Sequence, residues 1–239
     1  MVKKYYKRFF KRAGGWQMIS AVIFDMDGLM FDTERIMKDG WMHACEILDF
    51  HLTEEQLSQM RGGTRERNRM LFEQWFQGRI SYDQGREIRT RYQEIYIDQY
   101  GIPVKKGLVE LLDYLSFHQI PAAIATSTNR KSASRYWDMA GITSYFSASV
   151  CGDEVLHGKP DPEIFLAAAK KMQTPPAQCL ILEDSITGIR AAKAAGSFAC
   201  MVPDLTPPTE ELRRLCDFIC QDLAQVIPYL DSFHPEHSV

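Results

Sequence analysis

Two aspartates separated by one residue, Asp25 and Asp27, follow a short apolar run and precede Gly28. A carboxylate can attack a phosphoryl group, and the resulting aspartyl-phosphate divides the hydrolysis of a phosphate ester into two steps. A second carboxyl at that place can act as general acid and then as general base. A DxDG pattern alone is a weak signal, since turns after strands are often rich in Asp and Gly.

Groups that suit a phosphate follow other apolar runs of the chain. Thr126 and Ser127 offer hydroxyls and backbone N–H groups at a predicted helix start, where phosphate oxygens can bind. Lys159 offers an ammonium as a point charge for phosphate. Gly28 is a further candidate for phosphate binding, and Asn129 is a candidate for binding the rest of the substrate. Taken singly, each of these residues also has an ordinary structural explanation, such as a helix cap or a solvated loop lysine.

Glu183 and Asp184 end another apolar run and supply oxygen ligands of the kind that Mg²⁺ prefers. A phosphomonoester beside ionised Asp25 and Asp184 would bring roughly four negative charges together. One Mg²⁺ and Lys159 reduce that sum to about −1, while a protonated Asp27 adds no charge and can protonate the leaving oxygen. The electrostatics therefore favour a single site that contains all of these groups.

Apolar, strand-like runs alternate with helical stretches at 19–25, 121–126, 147–152, 179–184 and 197–203. This alternation predicts an α/β fold with a Rossmann-like parallel sheet and helices on both faces. Because the carboxyl ends of parallel strands share one edge, we expect the polar groups described above to meet there. Asp161 as N-cap, Pro162 at the first helical position and Glu163 predict a helix start, and Gly141 and Gly196 are expected just past two helix ends.

Residues 34–101 show no strand pattern but contain two capping-box spacings, Thr53 to Gln56 and Ser81 to Gln84. We interpret this segment as a small inserted all-helical cap domain, with the α/β core formed by residues 18–33 and 102–239. Because the insertion follows the first strand, it is expected to cover the carboxyl edge of the sheet as a lid.

The composition suits a folded protein that acts on a small molecule. Of the 239 residues 45% are hydrophobic and 25% charged, and the net charge of −3 argues against nucleic-acid binding. The six cysteines show no CxxC pair or metal-ligand spacing, and three of them lie in apolar runs where a free thiol behaves as a small hydrophobe, which favours a reducing, cytoplasmic location. Residues 1–17 form a basic N-terminal extension with six Lys or Arg and no acid. It could touch an anionic membrane surface, but an unstructured tail, or a start at Met18, is the simpler interpretation, and no stable membrane association is expected.

Four segments, DMDGLMFDTE (25–34), ATSTN (125–129), GKPDPEIF (158–165) and EDSITGIRAAKAAG (183–196), resemble the motifs of the haloacid dehalogenase-like hydrolase superfamily. The resemblance covers about residues 18–230 and is greatest to the branch that contains β-phosphoglucomutase and small-metabolite phosphatases, which carry a helical cap. It implies that Asp25 is the nucleophile and Asp27 the acid and base, and that Thr126 and Lys159 bind phosphate. It also implies that Asp25, the Asp27 carbonyl and Asp184 hold Mg²⁺, supported by Glu183.

The expected activity is hydrolysis of a small phosphorylated metabolite, a sugar phosphate or a nucleoside monophosphate, by a monomer.

Arg65 resembles a substrate-contacting arginine of the mutase cap, although it could instead belong to a solvated helix face. The mutase carries a histidine where this chain has Met37, so mutase activity loses support, unless His43 replaces that histidine. Asp27 argues against a dehalogenase. A non-catalytic phosphate-binding module is a further alternative, which the presence of both Asp25 and Asp27 disfavours.

Overall fold

The computed structural model of the chain describes residues 19–61 and 63–233. Within these residues six strands form one sheet in the order β3-β2-β1-β4-β5-β6, and every neighbouring pair is parallel. The strands are β1 (Ala21–Phe24), β2 (Ala122–Ala125), β3 (Phe146–Val150), β4 (Cys179–Glu183), β5 (Phe198–Met201) and β6 (Phe218–Ile219). All of their carboxyl ends therefore reach the same edge of the sheet.

The central strand β1 is buried on both faces of the sheet. Phe24 pairs with Ile124 of β2 and with Leu182 of β4. Since successive side chains of a strand point to opposite faces, Val22 packs into one hydrophobic core and Ile23 into the other. This arrangement explains the continuous apolar run, because a parallel sheet covered on both sides has no polar face.

Helices surround the sheet and fill the interval between β1 and β2. They are α1 (Thr33–Ile47), α2 (Glu54–Met60), α3 (Arg65–Phe76), α4 (Tyr82–Tyr100), α5 (Leu108–Phe117), α6 (Arg130–Met139), α7 (Glu163–Lys171), α8 (Ile186–Ala194), α9 (Glu210–Leu215) and α10 (Ile227–Phe233). The predicted fold class is thereby confirmed: a parallel sheet with helices on both faces, interrupted after its first strand by a purely helical insertion.

The helices α1–α4 have a hydrophobic core of their own, built largely from aromatic rings. The Phe72 ring lies 5.4 Å from that of Trp41 and 5.2 Å from that of Tyr82, centre to centre. The two chain segments that connect these helices to the sheet lie side by side, since the Asp32 N–H donates to the Pro103 carbonyl at 2.9 Å. The helical segment thus packs around its own core, and two neighbouring chain segments join it to the sheet.

Several helix ends agree with the sequence-based expectations. The Thr53–Gln56 capping box is complete, and Ser81 accepts from the Gln84 N–H. Gly141 and Gly196 follow the C-caps of α6 and α8 with φ of +68° and +78°. One prediction was wrong by a residue: α7 begins at Glu163, so Pro162 is its N-cap. Asp161 nevertheless accepts a hydrogen bond from the Glu163 N–H at 2.9 Å.

The predicted basic extension at residues 1–17 lies outside the described residues, as does Gly62. All six cysteines are buried and none forms a disulfide. None of the helices between residues 19 and 233, Gly62 apart, is long and apolar enough to cross a bilayer.

Candidate active site

A cavity of about 710 Å³ lies between the carboxyl edge of the sheet and the helices α1, α3 and α4. Asp25 and Asp27 reach it from the loop after β1, Lys159 from the loop after β3, and Asp184 from the end of β4. Thr126 follows β2 and is fully buried beside this cavity. The topology therefore brings together groups that are up to 159 positions apart in the chain.

Lys159 is the buried cation of this edge. Its ammonium donates to Asp25 Oδ1, to Glu183 Oε1 at 2.8 Å and to the Ala125 carbonyl at 3.3 Å. It also lies 4.9 Å from the centre of the Phe165 ring, a distance at which the ring face attracts a cation. Because an ammonium has three donors and each has an acceptor here, its charge is fixed beside the predicted nucleophile.

The acids around Lys159 outnumber it. Asp25, Glu183 and Asp184 are 6%, 1% and 7% exposed. Burial raises the pKa of Asp25 to about 8; Lys159 opposes that shift and Glu183 adds to it. Burial, and then the charges of Glu183 and Asp25, raise the pKa of Asp184 well above its usual value. Three buried carboxyl groups beside one buried ammonium leave this edge of the sheet short of positive charge.

Asp27 is held by hydroxyl groups from the start of α1 and from the loop after β2. Its Oδ1 accepts from the Thr33 hydroxyl at 2.7 Å, and its Oδ2 accepts from the Thr128 hydroxyl at 2.6 Å. The Thr126 hydroxyl lies 3.4 Å from the same Oδ2, and it accepts from the Thr128 N–H at 3.0 Å. Asp27 therefore has a fixed orientation, as a group that transfers protons at a defined place requires.

Two glycines permit close approaches that no other residue would allow. At Gly28, φ is +85°, and a Cβ would lie 2.3 Å from Asp184 Oδ2. At Gly188, a Cβ would lie 1.7 Å from Glu183 Oε1. Helix α8 and the loop after β1 can therefore close directly over the two acids only because these positions lack a side chain.

The donor set fits a hard divalent cation. One oxygen from each of Asp25, Glu183 and Asp184 lies within 4.8 Å of the others. Glu183 has both oxygens in use, since Lys159 donates to one and Ser185 to the other through its N–H at 2.7 Å and its hydroxyl at 2.9 Å. Asp184 accepts no hydrogen bond from any described residue. Asp25 and Asp184 are thus the available oxygen ligands, and the excess negative charge suits Mg²⁺ or a similar ion.

The other predicted contacts occupy the following positions. Ser127 and Asn129 line the cavity, and the side-chain oxygen Oδ1 of Asn129 caps α6 by accepting from the Ser132 N–H at 3.0 Å. The Gly28 N–H donates to the Phe31 carbonyl at 2.9 Å. Arg65 also lines the cavity, but it is half-exposed and paired with Asp83 at 2.7 Å. The roles assigned to Gly28, Ser127, Asn129 and Arg65 stay predictions.

The two cap positions that bear on mutase chemistry face different ways. Met37 lines the cavity, whereas His43 lies in a groove on the outer side of α1 and α4. There the His43 ring lies 5.4 Å from that of Tyr92, and its Nδ1 is 3.8 Å from the Glu46 carboxylate. His43 therefore does not replace the missing histidine, and no histidine lines the cavity among the described residues.

The sequence model of the family described as "Haloacid dehalogenase-like hydrolase" matches residues 22–202, which contain every residue placed at this site above. The chain belongs to that family. The resemblance of its motifs is thereby confirmed.

Individual family members are similar over most of their length. The phosphorylated carbohydrates phosphatase of Thermotoga maritima is 29% identical over 178 residues, 74% of this chain and 82% of the relative. The β-phosphoglucomutase of Bacillus subtilis is 30% identical over 187 residues, 76% of this chain and 82% of the relative. A crystal structure of a hydrolase from Pseudomonas syringae superposes with a TM-score of 0.76 at 25% identity, covering 89% of this chain and 98% of that one.

Several residues at or beside the cavity of this haloacid dehalogenase-like hydrolase were not singled out in the sequence. Thr33 and Thr128 lie inside recognised motifs, so their hydroxyls could have been proposed as partners of Asp27. Arg89, Gln93 and Tyr136 have no such signal. The Arg89 guanidinium donates to the Gln93 side chain at 3.0 Å, and Gln93 donates to the Tyr136 hydroxyl at 3.2 Å. This chain of hydrogen bonds joins α4 to α6 and depends on how the two helices pack.

Proposed function

We propose that this protein is a magnesium-dependent phosphatase that hydrolyses a small phosphorylated metabolite, a sugar phosphate or a nucleoside monophosphate, through an aspartyl-phosphate on Asp25. The observation that carries the proposal is the set of contacts at one cavity: Lys159 fixed on Asp25, and three hydroxyls within 3.4 Å of the Asp27 carboxylate. The activities named for the T. maritima phosphatase and other relatives support the same reaction class.

In the first step an Asp25 oxygen attacks the phosphorus of the ester, and the bond to the leaving oxygen breaks. The Lys159 ammonium holds Asp25 in place and attracts the phosphoryl oxygens by its charge. Ser127 and the backbone at the start of α6 are placed to accommodate the remaining oxygens. The chemistry divides into formation and hydrolysis of one acyl phosphate.

Asp27 carries the proton in both steps. In the first step its carboxyl donates a proton to the leaving oxygen, and in the second it accepts one from the water that attacks the aspartyl-phosphate. The hydroxyls of Thr33 and Thr128 hold the two carboxyl oxygens at fixed positions for both transfers. Asp25, Asp184 and the Asp27 carbonyl would hold Mg²⁺, whose charge would offset that of the phosphoryl group.

A sugar phosphomutase would share these core residues and differ in how its cap protects the aspartyl-phosphate from water. The orientation of His43 away from the cavity, together with Met37 inside it, favours hydrolysis over mutase chemistry. Monomeric state and cytoplasmic location remain predictions from the sequence.

The test is phosphate release from a panel of sugar phosphates and nucleoside monophosphates, with Mg²⁺ and with a chelator, beside Asp25→Asn. We expect release from at least one ester that requires the metal and is lost in the variant. Isomerised sugar phosphate without release would identify a mutase instead. Neither product from a folded protein would favour the non-catalytic alternative.

A further inference from the structure

The end of the cavity formed by the helical segment carries more basic than acidic side chains. Five Lys or Arg face three Glu on the lining contributed by α1, α3, α4 and the turn before α3: Lys38, Arg61, Arg65, Arg86 and Arg89 against Glu34, Glu66 and Glu94. The sheet end has the opposite balance, with Lys159 against Asp25, Asp27, Asp153, Glu183 and Asp184. A metal ion would offset part of the negative charge at the sheet end, but neither it nor the scissile phosphate explains the positive charge at the helical end.

Three of the five cations already have partners. Arg65 pairs with Asp83 at 2.7 Å, Lys38 pairs with Glu54, and Arg61 donates to the Leu205 carbonyl at 3.3 Å. Arg86 and Arg89 have no carboxylate within 4 Å among the described residues. These two arginines lie three positions apart on α4 and face the same cavity, as that helical spacing requires.

Arg89 is also held rigidly. One terminal nitrogen donates to Gln93, which is itself anchored on Tyr136. The guanidinium lies 6.0 Å from the centre of the Trp41 ring. Arg89 Nε is buried and has no hydrogen-bond partner, and the same is true of the Thr90 hydroxyl beside it. Buried donors without partners are uncommon in native proteins, so such a group in a cavity wall points to a missing ligand.

Glu34 compensates only partly for the positive charge of Arg86 and Arg89. Glu34 faces Arg61 and Arg89 across the cavity, but burial and the charge of Asp27 raise the pKa of Glu34 to about 7. Its carboxylate has no ion-pair partner among the described residues. Since Glu34 forms an ion pair with neither Arg86 nor Arg89, the two arginines keep a positive excess at this end of the cavity.

We infer that Arg86 and Arg89 form a second anion subsite, so that the substrate of the proposed phosphatase is a phosphomonoester with a carboxylate or a second phosphate at its other end. This inference rests on the proposed function and specifies its substrate class. The planar guanidinium of Arg89 suits such a group, because its parallel N–H donors match the oxygens of a carboxylate or phosphate. The subsite differs from the one expected at Arg65, which is half-exposed and already pairs with Asp83.

The test compares open-chain esters of equal length: glucitol 6-phosphate, which ends in a hydroxymethyl group, 6-phosphogluconate, which ends in a carboxylate, and a hexitol 1,6-bisphosphate. We expect the wild-type protein to prefer an anionic-ended ester by about tenfold in kcat/KM. In Arg89→Met the preference should fall to within about threefold, mainly through KM, and Arg89→Lys should keep part of it. The matched control is Arg91→Met on the exposed face of α4, which should keep the full preference.

Comparison of 6-phosphogluconate with the bisphosphate shows which anion the subsite prefers. Equal kcat/KM for all three esters in the wild type would overturn the inference, as would an equal loss for all three in Arg89→Met. Binding of the same esters to Asp25→Asn, measured by calorimetry with Mg²⁺, gives the preference without turnover. Failure of the proposed function would appear as absent hydrolysis with the binding preference retained, so the two failures are distinguishable.

Discussion

The ammonium of Lys159 lies between the carboxylates of Asp25 and Glu183 and donates a hydrogen bond to each. One residue, from the loop after β3, thus joins the acid after β1 to the acid that ends β4. The contact is buried, with Lys159 5% exposed. It connects the stability of the sheet edge to the charge state of the predicted nucleophile.

Replacement of that ammonium should damage both stability and activity. Lys159→Met leaves the buried acids without their cation, and breaking a buried ion pair in this way typically costs about 3 kcal/mol or more. We expect the free energy of unfolding in urea to fall by that amount and kcat to fall by about 100-fold. The control is Lys106→Met, whose ammonium forms an exposed pair with Asp222 and should change neither quantity appreciably. An active, fully stable Lys159→Met would contradict the arrangement.

The stability of the metal-free protein should depend on pH in a defined direction. Burial raises the pKa of Asp25 to about 8, whereas an unfolded aspartate titrates near 4. Between these values the folded state keeps a proton that the unfolded state has released. The free energy of unfolding should therefore fall as pH rises through that window, by about 1.4 kcal/mol per pH unit for one proton.

Urea unfolding between pH 5 and pH 8 measures that slope. Asp25→Asn should make the slope shallower by the share of one proton, because the substituted side chain does not titrate whereas Asp184 still does. Mg²⁺ should reduce the slope in the wild type by favouring the ionised carboxylates. Parallel pH profiles for the wild type and Asp25→Asn would show that Asp25 does not hold the proton.

The glycine at position 28 should be indispensable for a steric reason. A Cβ there would meet Asp184 Oδ2 at 2.3 Å, at a backbone φ of +85°. Gly28→Ala should displace Asp184 and reduce activity by at least about tenfold, with a weaker apparent affinity for Mg²⁺ measured by calorimetry. Gly196→Ala controls for backbone strain, because it has a similar φ of +78° and open space around its Cβ. If both variants behaved alike, strain rather than the contact with Asp184 would explain the effect.

The Thr128 hydroxyl should matter through Asp27. Thr128→Val removes the 2.6 Å hydrogen bond to Asp27 Oδ2 and keeps the shape of the side chain. We expect kcat to fall by about tenfold or more, with KM little changed, because a misoriented acid transfers its proton less efficiently. Thr128→Ser retains the hydroxyl and should restore most of the activity. A loss of the same size in Thr128→Ser would assign the effect to packing.

The sequence predicted the parts of the fold that depend on local pattern. Apolar runs located β1–β5 because buried parallel strands have no polar face. The edge strand β6 (Phe218–Ile219) was missed, since only three apolar residues separate Asp217 from Gln221, too few for a recognisable run. The start of α7 was misplaced by one residue because Pro162 can occupy the N-cap as well as the first helical position.

The residues of the site also fall into two groups, those that the sequence could place and those that it could not. Asp25, Lys159 and Asp184 follow strands, so the parallel topology alone brings them to one edge. The positions of Arg89 and Tyr136 depend on the packing of α4 against the core. Periodicity could not show that His43 faces outward while Met37 faces the cavity.

The phosphorylation of Asp25 itself is the most direct measurement. The protein would be mixed with an ester that it hydrolyses, quenched in acid during turnover and digested, and its peptides would be weighed by mass spectrometry. We predict one added phosphoryl group on the peptide that contains Asp25, and none on the same peptide of Asp25→Asn. Hydrolysis that proceeds with no phosphorylated Asp25 peptide, and that persists in Asp25→Asn, would contradict the account.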